Sequence, residues 1–153
     1  RSGIAIYGAN PTPGKPNPMP PTITLRAQII QVRDAEPGDT IGYNATHRVR
    51  DNTRIATVPV GYADGFIRTL SNKAVGIIDD ISVPLVGRVS MDLITFKVNK
   101  ATYEMFSKNT NKIYFVELIN DKQSPSDIAK LLDTIPHEIL TRISDRVDRK
   151  IVK

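Results

Sequence analysis

The sequence predicts a mainly β fold: a closed or partly open antiparallel β-barrel with one or two short helices near the C-terminus. Short stretches that alternate apolar and polar residues predict strands from Ile23 onward, and turn residues separate them. Many short strands with such turns are typical of a barrel or sandwich rather than a parallel α/β sheet. A length of 153 residues, 40% of them hydrophobic and 24% charged, suits one globular domain with its own core.

The N-terminal part is predicted to contain a domain boundary. Residues 1–8 are predicted to form a buried strand that ends at Gly8. Residues 9–22 are predicted to form an extended, semi-rigid linker, because six of the eleven prolines fall within residues 11–21. The chain begins with Arg1 rather than Met and runs at once into an apolar segment, so we expect a piece of a longer protein.

Strands and turns then alternate through the middle of the chain. Glu36–Asp39 predicts a turn, because Pro37 fixes one φ angle and Gly38 is free to take a positive one. Asp79-Asp80 is predicted to join the two strands of a hairpin. The predicted strands, in order, are residues 23–32, a short strand leading to 41–43, and 55–60, 74–78, 83–86, 93–98, 113–118 and 147–152.

Helix signals concentrate near the C-terminus. Ser124 is a candidate N-cap, Pro125 suits the first helical position, and Asp127 follows the cap by three residues. Residues 136–143 predict a second short helix. The pattern of residues 100–112 is compatible with either a helical face or a covered loop.

Composition restricts the classes of function. Cysteine is absent and no metal-ligand spacing occurs, so we expect neither disulfides nor a metal site. No apolar stretch has the length of a membrane span and no secretory signal is visible, so we expect a cytoplasmic protein without membrane contact. The net charge of +5 comes from scattered Lys and Arg, which indicates a solvated surface rather than a nucleic-acid site.

In two segments, a run of apolar residues is followed by residues that could bind a ligand or take part in a reaction. In Val58–Gly65 (VPVGYADG), a strand enters a tight turn that presents Tyr62 at the strand end, and glycine permits the unusual backbone angles. The same pattern also fits a plain hairpin corner with a packing tyrosine. In Val86–Asp92 (VGRVSMD), backbone N–H groups and Arg88 can receive a carboxylate, or the segment is a strand end with a surface Arg–Asp pair.

A third segment, Ile41–Thr46, places Tyr43 after a short strand, where a single tyrosine is usually structural. Taken together, the three segments resemble bacterial alanine racemases, which are pyridoxal-phosphate enzymes. Residues 1–8 are similar to the last strand of that family's N-terminal (β/α)8 barrel, and residues 138–147 are similar to its C-terminal tail. Residues 23–153 are thus identified as similar to the family's C-terminal β-domain.

The resemblance implies an activity shared between two subunits. In the family, pyridoxal 5'-phosphate is held on a lysine of the N-terminal barrel, and the C-terminal domain of the partner subunit closes the site. Racemisation of L- and D-alanine needs one base on each face of the substrate. The lysine is one base, and the position of the second base matches Tyr43. We therefore expect a homodimeric enzyme that supplies D-alanine for peptidoglycan, and an inactive isolated domain.

The resemblance also assigns further site residues. Among the substrate-binding positions, Met91 matches a backbone contact to the substrate carboxylate, Tyr62 matches a residue that lines the entrance to the site, and Asp92 flanks it. Ser90, also in the substrate-binding set, stands where some members carry cysteine. For the cofactor, Arg1 matches the arginine that faces the pyridine nitrogen, and Gly3 and Ile4 match backbone contacts to the phosphate. The chain departs from the family at Asp145, which stands where some members have a phosphate-contacting tyrosine, and in residues 100–117.

Alternatives remain open at this stage. A related basic amino-acid decarboxylase is disfavoured because it uses a cysteine-containing motif, and this chain has no cysteine. A racemase of broader specificity is compatible with the same residues. From other classes, a non-catalytic dimerisation module and a small basic nucleic-acid-binding β-barrel also fit the size and charge, although no basic–aromatic stripe supports the latter.

Overall fold

The structure is a computed structural model that describes residues 3–12, 14–108 and 112–152. Within these residues there are nine strands, three α-helices and four short 3-10 turns. The strands are β1 (Leu25–Gln28), β2 (Gln31–Ala35), β3 (Thr40–Ile41), β4 (His47–Arg48), β5 (Thr53–Val58), β6 (Val75–Ile78), β7 (Ile81–Pro84), β8 (Ile94–Val98) and β9 (Phe115–Ile119). The helices are α1 (Lys100–Lys108), α2 (Pro125–Leu131) and α3 (Pro136–Thr141), and the 3-10 turns are Gly3–Tyr7, Tyr43–Ala45, Tyr62–Asp64 and Arg68–Leu70.

All strand pairs are antiparallel and form three sheets. One sheet has the order β1-β9-β6-β7, the second has the order β2-β5-β8, and β3 pairs with β4. The predicted mainly β, antiparallel fold is confirmed. Among the strands of the described segments, no closed barrel is found.

Two hydrophobic clusters hold the sheets together. The larger cluster surrounds Phe96, whose side chain is fully buried, and a Cβ on Gly76 would lie only 2.8 Å from that ring. Glycine at this position therefore lets the strands pack closely around a large aromatic side chain. The smaller cluster consists of Ala35, Ile41, Val49, Ile55 and Val86, and it anchors the β3–β4 hairpin to the second sheet.

The predicted strand 23–32 is in fact two strands, β1 and β2. The chain changes sheets between them: Ile29 N donates to Tyr114 O at 2.9 Å, and Ile30 N donates to Thr57 O at 3.0 Å. Consecutive N–H groups of a strand point to opposite sides, so neighbouring residues can hydrogen-bond to different sheets. The alternation of side chains continues through the bend, and the sequence pattern therefore did not reveal it.

The predicted strands at the two chain ends are wrong. Gly3–Tyr7 forms a 3-10 turn with Ile6 and Tyr7 exposed, because no strand of the described residues pairs with it. Residues 147–152 form no strand either, and Ile151 is 98% exposed. A strand needs a partner for its backbone groups, and an apolar pattern alone does not supply one.

The helix and turn predictions near the C-terminus and in the hairpins are confirmed. Ser124 Oγ accepts the Asp127 N–H at 3.3 Å and caps α2, and α3 begins at Pro136. The turns at 36–39 and 79–80 lie where predicted. Residues 100–108, left open between helix and loop, form a third helix, α1. Among the described residues, no helix combines the length and apolar composition needed to cross a bilayer.

Candidate active site

The loops that carry Tyr62 and Met91 are joined directly. Tyr62 N donates to Ser90 O at 3.1 Å, and Ala63 N donates to Met91 O at 3.0 Å. The approach is so close that a Cβ on Gly61 would lie 2.2 Å from Met91 O. The structure therefore brings together two segments that lie about thirty residues apart in the sequence.

The hairpin that carries Tyr43 packs against the same region. A Cβ on Gly42 would lie 2.7 Å from Arg88 N, and a Cβ on Gly87 would lie 2.9 Å from Ile41 O. Both glycines have positive φ angles, of 76° and 84°. Tyr43 thus comes directly after Gly42, which contacts the backbone of the loop that leads to Met91. All three predicted segments therefore meet.

The backbone around Tyr43 is held in an uncommon conformation. Gly42, Asn44 and Ala45 all have positive φ angles, and those of Asn44 and Ala45 are 59° and 50°. For a residue with a Cβ, this left-handed region costs about 1–2 kcal/mol. Such a conformation persists only where the surroundings enforce it, and it is common at functional sites. Here the β3–β4 pair and the buried Ile41 enforce it.

Large side chains at the meeting point remain uncovered. Tyr43 is 66% exposed, Met91 is 52% exposed, and Tyr62 and Leu93 are also exposed. A surface of clustered tyrosine and apolar side chains is typical of an interface or a binding site. Within this domain, then, the three segments form a surface rather than an enclosed pocket.

Ser90 holds the shape of the loop that presents Met91. Its hydroxyl donates to Leu93 O at 2.7 Å and accepts the Leu93 N–H at 2.9 Å, while Ser90 N donates to Leu93 O at 3.1 Å. These bonds close a tight turn with Met91 and Asp92 at its tip. Within the described residues, the Met91 N–H makes no hydrogen bond, so it is free to donate to a ligand.

Arg146 connects the two loops by charge, a role that the sequence analysis missed. Its Nη2 atom donates to Asp92 Oδ1 at 2.8 Å, and its Nε atom lies 3.4 Å from Asp64 Oδ1. The Asp64 side chain is mostly buried, and its second oxygen accepts the Gly61 N–H at 2.9 Å. The hydrogen bond to Asp92, and then the charge of Asp64, raise the pKa of Arg146 above its usual value.

The sequence also suggested a surface ion pair between Arg88 and Asp92. In the structure, Asp92 pairs with Arg146 instead. Arg88 and Arg68 line an open cleft of about 370 Å³ beside the Tyr43 hairpin. Asn72 also lines the cleft, and its Oδ1 accepts the Gly87 N–H at 2.7 Å. Two guanidinium groups give this cleft a positive charge that favours anions.

The structure does not bring the predicted cofactor contacts to this surface. Gly3 and Ile4 lie in the first 3-10 turn, and Arg1 lies outside the described residues. The turn is tied to the linker instead, since Thr22 Oγ1 donates to Ile6 O at 3.4 Å. No hydrogen bond within the described residues joins Gly3 or Ile4 to the three loops.

Comparison with known proteins assigns this arrangement to a family. Residues 22–151 match the model of the alanine racemase C-terminal domain. The alanine racemase of Rhodospirillum rubrum is 42% identical over 150 residues, which are 98% of this chain and 39% of that protein. The alanine racemase of Brucella canis is 42% identical over 166 residues, with 99% of this chain and 41% of that protein covered.

Solved structures agree with the sequence comparison. Alanine racemase from Bartonella henselae with covalently bound pyridoxal phosphate superposes with a TM-score of 0.85 and 33% identity, over 98% of this chain and 40% of that one. Biosynthetic alanine racemase from Pseudomonas aeruginosa gives a TM-score of 0.81 and 30% identity, over 97% of this chain and 40% of that one. These matches define a C-terminal β-domain of a racemase. The chain belongs to the alanine racemase C-terminal domain family, and it spans about 40% of the length of these relatives.

Proposed function

We propose that this chain is the C-terminal domain of a racemase that interconverts L- and D-alanine with pyridoxal 5'-phosphate, and that the product serves peptidoglycan synthesis. The observation that carries the proposal is the convergence of the Tyr43 hairpin with the loop of Met91, on an exposed surface. Family membership and relatives at 42% identity support it. The expected location in the cytoplasm remains a prediction.

Tyr43 is proposed as one of two bases. When bound, pyridoxal phosphate withdraws electrons from the substrate Cα and makes its proton acidic. A racemase must remove this proton from one face and return a proton to the other. The Tyr43 phenolic oxygen takes or gives the proton on one face, and a lysine outside this chain serves the other. Because a phenol has a pKa near 10, nearby positive charge is needed to favour the phenolate.

The second loop is proposed to orient the substrate carboxylate. The unpaired Met91 N–H donates to the carboxylate, and the Ser90 hydroxyl fixes the turn that aims this N–H. Tyr62 lines the entrance, and its half-exposed ring limits which side chains pass. Asp92 contributes by holding the loop through its ion pair with Arg146.

The chain fits the cofactor at one place. A Cβ built on Gly3 would meet nothing within 4 Å, so the backbone there is open to an approaching phosphate group. Gly3 and Ile4 would hold the phosphate through backbone N–H groups, and Arg1 would face the pyridine nitrogen. Asp145 is not suited to contact a phosphate, because it is an acidic side chain whose one ion pair among the described residues is with Arg149, at 3.5 Å.

The domain assignment is proposed on the same basis. Residues 1–8 would complete an N-terminal barrel, residues 9–22 would be the linker, and residues 23–153 would form the C-terminal domain. The exposed surface around Tyr43 would dock on the barrel of the partner subunit in a homodimer. The barrel lysine and the Tyr43 phenol would then belong to different subunits, which explains why Tyr43 is exposed in this domain alone.

We also favour a partly open barrel for this domain. An isolated bridge between Leu85 and Phe96 continues the first sheet from the end of β7 to β8. On the other side, Ile29 and Ile30 bond to strands of the two different sheets. The two sheets are thus joined along both edges, and the connections are too short to count as regular strand pairs.

The test follows the α-proton of alanine in the full-length protein that carries this domain. Wild type and Tyr43→Phe are loaded with pyridoxal phosphate, and exchange of the proton of L- and D-alanine is measured in D2O. We expect the variant to exchange one enantiomer through the lysine and to lose exchange of the other, together with net racemisation. Tyr103→Phe, the same chemical change on α1, serves as the matched control. If the Tyr43 variant racemises both enantiomers at near wild-type rates, the assignment of Tyr43 is wrong.

A further inference from the structure

A single guanidinium links the two loops that present Tyr62 and Met91. Arg146 contacts Asp64 in one loop and Asp92 in the other, at 3.4 and 2.8 Å. Among the described residues, it is the one basic side chain within 4.0 Å of either carboxylate. The neutralisation of both carboxylates therefore depends on this residue.

The segment around Arg146 is itself fixed in place. Ser144 N donates to Asp64 O at 3.1 Å. The backbone at Arg142 packs closely on Gly65, since a Cβ on Gly65 would lie 2.1 Å from Arg142 O. Arg149 Nη2 donates to the carbonyl of residue 143 at 3.0 Å. The backbone that carries Arg146 is thus held next to the loop of Asp64, within reach of the two carboxylates.

The position of these charges bears on substrate binding. Asp92 follows Met91, whose free N–H is proposed to receive the substrate carboxylate. Consecutive Cα atoms lie about 3.8 Å apart, so Asp92 is the next residue along the backbone from any anion held at Met91. Without Arg146, the negative charges of Asp64 and Asp92 would be unpaired, and they would repel a carboxylate substrate bound beside them. Arg146 removes most of that repulsion.

We propose that Arg146 is a positioning residue that sets the affinity for the substrate carboxylate: it neutralises Asp64 and Asp92 and holds the Met91 N–H in place. The inference rests on the proposed racemase function and deepens it. It predicts a specific kinetic signature, because the charges act on the carboxylate in the bound substrate as well as in the transition state. Loss of Arg146 should therefore weaken binding more than it slows the chemical step.

The test uses the full-length, cofactor-loaded protein. For Arg146→Gln we expect KM for both alanine enantiomers to rise on the order of ten-fold, while kcat changes by less than about two-fold. The inhibition constant of propionate, a carboxylate without the amine, should rise in parallel. Arg142→Gln is the matched control, since it removes the same charge from the same segment, and the one ion pair of Arg142 within the described part of the chain is with Glu138.

Two further variants separate charge from loop structure. Adding Asp92→Asn to Arg146→Gln removes the uncompensated charge and should return KM toward the wild-type value. Arg146→Lys keeps the charge but lacks the fork that reaches both carboxylates, so KM should rise only slightly. Thermal unfolding shows whether each variant is folded.

The outcomes are distinct. An unchanged KM in Arg146→Gln, or a raised KM that Asp92→Asn does not lower, overturns the inference and leaves Arg146 as a structural tie. These results leave the proposed function standing if wild type racemises alanine and needs Tyr43. If wild type does not racemise alanine, the proposed function itself fails, whatever Arg146 does.

Discussion

Replacing Gly61 with Ala should force apart the two loops of the site. A Cβ at this position would lie 2.2 Å from Met91 O and must retreat by about 0.8 Å to reach 3.0 Å, the shortest contact that real Cβ atoms make. The obstructing atoms are backbone, so no side-chain rotation relieves the clash. The retreat lengthens the two hydrogen bonds between the loops. In the wild-type chain, Tyr62 N donates to Ser90 O at 3.1 Å and Ala63 N donates to Met91 O at 3.0 Å. At about 1 kcal/mol for each bond, the chain should lose about 2 kcal/mol of unfolding free energy.

In a protein of this size, that loss lowers Tm by about 4–8 °C. Thermal unfolding measures the total effect, and amide hydrogen exchange at Tyr62 and Ala63 shows where it arises. Gly38→Ala is the matched control, because a Cβ there meets nothing within 4 Å and only the positive φ angle of 100° is disfavoured. If Gly61→Ala leaves both amides as protected as in wild type, and Tm falls no further than in Gly38→Ala, the close approach does not hold the loops together.

Three other substitutions test the fold. Ser124→Ala removes the cap of α2 and should cost about 1 kcal/mol, seen as a lower urea midpoint with an unchanged m-value. Phe96→Ala empties the centre of the core and should cost about 3–5 kcal/mol by the same assay. Burial, and then the charges of Lys97 and Arg50, lower the pKa of His47, so the unfolded chain takes up this proton first as the pH falls. Stability should therefore decline as the pH drops below about 6.5, and His47→Gln should flatten that decline.

The parts of the fold that local sequence determines were predicted well. The capping box of α2 lies within residues 124–127, and the turn between β6 and β7 lies within two residues, so each signal is contained in a short window. In the same way, the segment Val58–Gly65 predicted a tight turn at Tyr62, and the structure has a 3-10 turn there, at Tyr62–Asp64. These features are stabilised by contacts between residues close in sequence, which a periodic or capping pattern records directly.

Features that depend on distant partners were not predictable. The strand expected at residues 1–8 has the right composition but no pairing strand in the described chain, and it forms a local 3-10 turn instead. The bend between β1 and β2 depends on Tyr114 and Thr57, which lie far along the chain. An alternating pattern shows which face of a strand is apolar, and it does not show which strand lies beside it.

Arg146, in the candidate site, likewise depends on partners that are distant in the sequence. It lies 54 residues from Asp92 in the sequence, and nothing in its immediate neighbours distinguishes it from the other arginines of the C-terminal segment. A partial signal did exist, because each of the two recognised motifs contains an aspartate within two residues of the residue that it presents. A carboxylate side chain beside a binding site for another carboxylate needs a nearby cation to offset the repulsion between the two negative charges. Arg88, the cation inside the motif, faces the neighbouring cleft, and the compensation comes from a segment that only the folded chain brings near.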